Sequence, residues 1–121
     1  MADRPDQGLA RHQRLTRSSQ FRAAYDAGEK HVGRLMVMYL HRGEGASLRL
    51  GVVASRKVGN AVARARARRL MREAYRRNRF LLHGSADVVL VARPHLLKAE
   101  WLAVVDELLA LLKRAGLLHV G

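Results

Sequence analysis

Between positions 56 and 79 the sequence holds ten basic side chains, Arg56, Lys57, Arg64, Arg66, Arg68, Arg69, Arg72, Arg76, Arg77 and Arg79, against one acid, Glu73. All but Lys57 are arginines, whose planar forked donors suit phosphate oxygens better than a compact ammonium does. Arg64, Arg68, Arg72 and Arg76 recur every four residues, the spacing at which like charges on a helix repel by about 0.2–0.5 kcal/mol per pair. A helix selected only for stability would interleave acids, so the pattern points to a polyanionic partner. With Arg64 at zero on a helical wheel of ~100° per residue, Arg68, Arg72, Arg76, Arg79 and Arg69 fall between ~40° and ~140°. On the same wheel Leu70, Ala63, Ala74, Ala67 and Met71 fall between ~240° and ~340°, an apolar face opposite an arginine face.

No comparable constellation serves catalysis. His12, His31, His41, His83, His95 and His119 are scattered, without the close pair spacing of a metal site. Asp106 and Glu107 are adjacent and point to different faces, Ser55 lacks the Gly-x-Ser-x-Gly setting, and Lys57-Val58-Gly59-Asn60 is not a phosphate loop of the GxxxxGK[ST] type. The chain has no cysteine, which excludes disulfides, thiolate zinc sites and thiol nucleophiles and fits a reducing compartment. Aromatic residues able to stack on bases are few; Phe21 and Tyr25 share one side of a helix by their four-residue spacing.

The elements that must position these residues fit one domain. The chain has 121 residues, 49% of them hydrophobic, with 23 Lys and Arg against 10 Asp and Glu for a net charge of +13. That apolar content separates it from disordered polycations. Residues 1–14 read as a polar flexible arm and 15–121 as a single domain. A first helix is expected from a cap at Ser18 or Ser19 to a stop at Gly28. Leu35–His41 and Leu48–Ser55 read as the two strands of a hairpin turning through His41-Arg42-Gly43-Glu44-Gly45. Asn60 suits the N-cap of the arginine helix, and Ala86–Ala92 reads as a strand covered on both faces, ended by Arg93-Pro94. A last helix over 99–115 carries an apolar stripe of Trp101, Leu102, Val105, Leu108, Leu109 and Leu112, with Gly116 closing it. The fold class is α/β, a two-layer sandwich in the order α-β-β-α-β-α with room for one further short strand. No run is long enough to span a membrane and none forms a signal peptide, so a cytoplasmic protein is expected; no protein partner is evident.

The segment Ser55–Arg76, SRKVGNAVARARARRLMREAYR, resembles the signature of the bacterial ribonuclease P protein component. Ser55, Lys57, Gly59, Asn60, Ala61, Val62, Arg64, Arg66, Arg68, Arg69, Arg72 and Glu73 match in register. Leu15-Thr16, Phe21-Arg22 and Gly28 upstream and the segment Asp87–Pro94 downstream agree with it. Ala65 departs from the pattern, replacing an asparagine between the two arginines, so that residue's role is not carried over. The resemblance implies a four-stranded sheet in the order α-β-β-β-α-β-α with a left-handed βαβ crossover, where general packing favours the right-handed one.

It implies further that the protein is the non-catalytic subunit of an RNA-based endoribonuclease, whose RNA removes the 5′ leader of precursor tRNA with Mg²⁺ held mainly by that RNA. Arg56, Lys57, Asn60, Arg64, Arg66, Arg68, Arg69 and Arg72 would then dock on the catalytic RNA subunit. Phe21, Tyr25 and Tyr39 would line a cleft for the single-stranded leader, Phe21 being equally readable as core. The alternative is a structural RNA-binding protein of ribosomal type, with the same charge logic and no processing role.

Overall fold

The computed structural model describes residues 9–43 and 45–118. Helix α1 (Ser18–Asp26) is followed by β1 (Glu29–Val32), β2 (Met36–His41), β3 (Leu50–Val53), α2 (Ala61–Asn78), β4 (Asp87–Ala92) and α3 (Trp101–Arg114). The four strands form one sheet in the order β1-β2-β4-β3. β4 is central, as its β-branched run predicts: it pairs antiparallel with β2, Met38 opposite Leu90, and parallel with β3, Val52 opposite Leu90.

The expected hairpin between the second and third strands does not form. β2 and β3 lie on opposite sides of β4, and the hairpin of this sheet is β1–β2, with His31 opposite Met38. Two carboxylates explain the arrangement. Asp87, buried at the start of β4 with 2% exposure, accepts hydrogen bonds from the backbone N–H groups of Ser47 and Arg49 and from the Arg49 guanidinium, the shortest at 2.6 Å. A buried charge is tolerated only when paired in this way, and the pairing anchors the approach to β3 beside β4 rather than beside β2. Glu107 of α3 accepts from the backbone N–H groups of Arg34, Leu35 and Met36, each at 2.8 Å, and so fixes the β1–β2 turn.

Alternation along the strands divides the sheet into two faces. Met36, Met38, Leu40, Val88 and Leu90 point to the layer of α2 and α3, where Ala67, Met71, Ala74, Val104, Leu108 and Leu111 complete the main core. On the other face α1 lays Ala24 over Val89 together with Leu15, while Phe21, Tyr39, Val53 and Val91 stay partly exposed. The apolar stripe of α3 is rotated from the expected one: Val104, Leu108, Leu111 and Leu112 are buried and Leu102 is 69% exposed.

The start of α1 also differs from expectation. Arg17 occupies the N-cap, and the Gln20 side chain accepts from the backbone N–H groups of Thr16 and Arg17, at 2.8 and 2.9 Å. Part of the expected arm, residues 1–8, lies outside the described residues. Residues 9–14 run against the sheet: Leu9 packs on the main core and Arg14 bridges to Leu50, followed by a Leu15 N–H to Leu50 C=O bond of 2.9 Å.

Candidate nucleic-acid interface

The loop from Ser55 to Asn60 brings Arg56 and Lys57 to the surface at the end of β3. It closes through Val58 N–H to Ser55 C=O and Gly59 N–H to Arg56 C=O bonds of 3.0 and 3.2 Å. Gly59 adopts φ +148°, a conformation side chains resist, and a Cβ there would lie 2.8 Å from that of Ala63. Asn60 caps α2 as expected, its Oδ1 accepting from the Ala63 N–H at 2.9 Å.

The arginines of α2 form two sets rather than one face. Tyr75, at ~20° on the wheel and so within the arginine sector, is fully buried and donates its hydroxyl to the Leu48 carbonyl at 2.6 Å. Its burial turns the core side of the helix toward Arg64, Arg68 and Arg72, which become half-buried flank residues, and leaves Arg66 and Arg69 on the exposed crest. Arg76 and Arg77 both pair with Glu73. The hydrogen bond from Arg76 holds the Glu73 carboxyl below its ordinary range.

Two of the flank arginines, Arg68 and Arg72, face a groove between α1, β3 and α2. One part, about 510 Å³, is lined by Phe21, Arg22, Tyr25, Val53, Ala54 and Arg68 among others. The adjoining part, about 280 Å³, is bordered by Arg11, Arg14, Phe21, Gly51, Arg68 and Arg72 among others. Phe21 and Arg68 border both. Phe21 can approach β3 this closely only because position 51 is glycine: a Cβ there would sit 2.3 Å from Phe21 Cε1.

Tyr25, 40% exposed, meets Tyr39 of β2 edge-to-face with ring centroids 4.9 Å apart. Partial burial, with a smaller contribution from Tyr39, pushes the Tyr25 hydroxyl pKa upward, so it stays protonated and able to donate at neutral pH. Phe21 and Tyr25 thus both line the groove from α1, and Tyr25 also meets Tyr39, which is not part of the groove wall. Sequence reasoning missed Arg11, Arg14 and Arg22 as groove residues. It also missed Gly51, whose place inside an apolar strand signals close approach.

Arginines beside a shallow apolar groove with stackable rings can hold a single nucleic-acid strand without reading its sequence. Among the described residues no three His, Asp or Glu side chains converge as a metal site.

Comparison with known proteins agrees with this geometry. The sequence model of the Ribonuclease P family matches residues 9–116. The ribonuclease P protein component of Desulfovibrio desulfuricans is 42% identical over 110 residues, covering 88% of this chain and 85% of that protein. Among solved structures, the RNase P protein of Staphylococcus aureus superposes with a TM-score of 0.77 at 27% identity, covering 88% of this chain and 98% of its own. That of Thermotoga maritima gives 0.74 at 28% identity, covering 84% and 96%. Signature, strand order and relatives converge on one assignment: the chain belongs to the ribonuclease P protein family.

Proposed function

We propose that the chain binds the RNA subunit of ribonuclease P through α2 and its preceding loop, and holds the 5′ leader of precursor tRNA in the aromatic groove. The bond-breaking is assigned to the RNA. The observation that carries the reading is Arg68: one half-buried guanidinium borders both halves of a groove whose other walls include Phe21, Tyr25 and the valines of β3. An RNA docked along α2 would therefore lie beside whatever strand occupies the groove. Arg56, Lys57, Asn60, Arg64, Arg66, Arg69 and Arg72 would complete the RNA-facing surface, with Tyr39 supporting Tyr25.

The donor set does not fit a resident Mg²⁺. The charged groups at the groove are arginines, and the anchored carboxylates Asp87, Glu107 and Glu73 are bonded to protein donors. The divalent ions of the reaction would belong to the RNA, and the cationic helix would support them by screening RNA–RNA repulsion. Among the described residues no helix is long and apolar enough to cross a membrane, and the setting that goes with this reading is the cytoplasm.

The test is reconstitution. Added to ribonuclease P RNA at low Mg²⁺, the protein is expected to stimulate leader removal from precursor tRNA. Absence of stimulation, with RNA binding intact, would return the chain to a structural RNA-binding role.

A further inference from the structure

A second cationic surface lies outside α2 and the groove. Arg34 from the β1–β2 turn, Arg93 at the end of β4, His95 and Lys98 from the 3-10 turn Pro94–Lys98, and Arg114 from α3 converge on an open hollow of about 770 Å³. They come from three separate segments, residues 93–98 supplying three of the five, and the fold brings Arg34 and Arg114 to them. One acid, Glu107, shares the hollow, and its carboxylate is engaged by three backbone N–H groups of the turn. Arg93 is held in place by donating to the Gly33 carbonyl at 2.8 Å, while Arg34, Lys98 and Arg114 are exposed.

The position of the hollow argues for its occupant. Val37, Val91 and Val53 are in register across β2, β4 and β3, so Arg34, Arg93 and the Arg56-Lys57 loop all lie at one end of the sheet. Crossing from β1 to β3 takes three inter-strand steps of about 4.8 Å, or about 14 Å. That end is therefore a continuous cationic rim running from the start of α2 to the hollow. The hollow is walled by α3, which shares the layer of α2, on the face of the sheet opposite the aromatic groove.

We infer that this hollow is a second docking site for the phosphate backbone of the RNA subunit, reached by the same RNA that grips α2. The inference rests on the α2 reading, because continuity with α2 is what selects the RNA subunit over the substrate.

The experiment measures binding of the full chain to ribonuclease P RNA over a salt series, for R34A/K98A/R114A and for R64A/R66A. Arg93 is left in place because it braces the turn, and unchanged thermal unfolding confirms that the triple variant folds. Three lost phosphate contacts should lower the slope of log K against log salt by about 2 to 3. Lys113→Ala, which removes an exposed charge from α3 outside the hollow, is expected to leave the slope unchanged. If R34A/K98A/R114A retains the full slope while R64A/R66A lowers it, the hollow is not an RNA site and the α2 reading stands. If R64A/R66A also keeps the full slope, the α2 reading fails, and this inference with it. A triple variant that binds the RNA normally, but whose holoenzyme binds precursor tRNA more weakly, would overturn the inference by assigning the hollow to the substrate.

Discussion

The two faces of the sheet are finished differently. Toward α2 and α3 every strand residue of β2 and β4 is sealed, with Met36, Met38, Leu40, Val88 and Leu90 at 0% exposure. Toward α1 a nine-residue helix covers the centre alone and leaves Tyr39, Val53 and Val91 partly open. The first face holds the fold together, and the second keeps stackable and apolar surface available beside arginines. The main core and the aromatic groove are thereby separated across one layer of backbone. A residue's face, more than its chemical type, should decide what its removal does.

The largest effect should come from the sealed face. Met71→Ala leaves a cavity beneath the sheet and is expected to destabilise by about 2–5 kcal/mol in denaturant unfolding; a loss under about 1 kcal/mol would break the distinction. On the open face, Tyr39→Ala should leave the unfolding midpoint almost unchanged. It should reduce the preference of the reconstituted enzyme for precursor over mature tRNA by less than the roughly 1–3 kcal/mol of one stacked base, because Tyr39 acts through Tyr25. An unaltered preference would remove Tyr39, and the Tyr25 edge it supports, from leader binding.

Arg68→Ala sharpens the boundary between the faces. It should flatten the salt dependence of RNA binding by about one unit and weaken precursor binding as well, because Arg68 borders both parts of the groove. The smallest effect is on pH. Hydrogen bonds from Arg76 and Arg42 lower the carboxyls of Glu73 and Glu29 below their ordinary 4.5. A lowered folded-state pKa means stability that is complete above about pH 4.5 and lost as pH falls through the depressed value. Both carboxylates are one-third exposed, so each contributes less than about 1 kcal/mol. Glu73→Gln should make the thermal midpoint less sensitive to acid over that range.

What the sequence disclosed was local. The Asn60 cap and the β-branched run of β4 each rest on contacts within a few residues or on a strand's own composition, and each is found where expected. The β2–β3 hairpin was misread because the turn residues after His41 carry the same signal whether the chain folds back beside β2 or passes beyond β4. The deciding bond, Asp87 to Arg49, spans 38 positions. The phase of α3 was misread because leucines and valines occupy nearly every side of that helix, so periodicity alone could not choose between Leu102 and Leu111. The division of arginines into flank and crest depended on Tyr75 reaching the Leu48 carbonyl, a long-range contact. The groove was visible only as a pair of aromatics; its floor, opened by Gly51, belongs to tertiary structure.

The central place of β4 has a consequence for how the chain is born. During synthesis β1 and β2 can pair as soon as they emerge, but among the described residues β3 pairs, apart from its bridge to Arg14, with β4, which ends at Ala92. Until the ribosome has extruded that strand, α2 has no complete sheet to seat against, and its arginines leave the exit tunnel ahead of the surface meant to hold them. Closure thus waits on contacts distant in sequence, which are slow to form. For that interval the nascent chain presents its most cationic segment, unsheltered, to every RNA nearby.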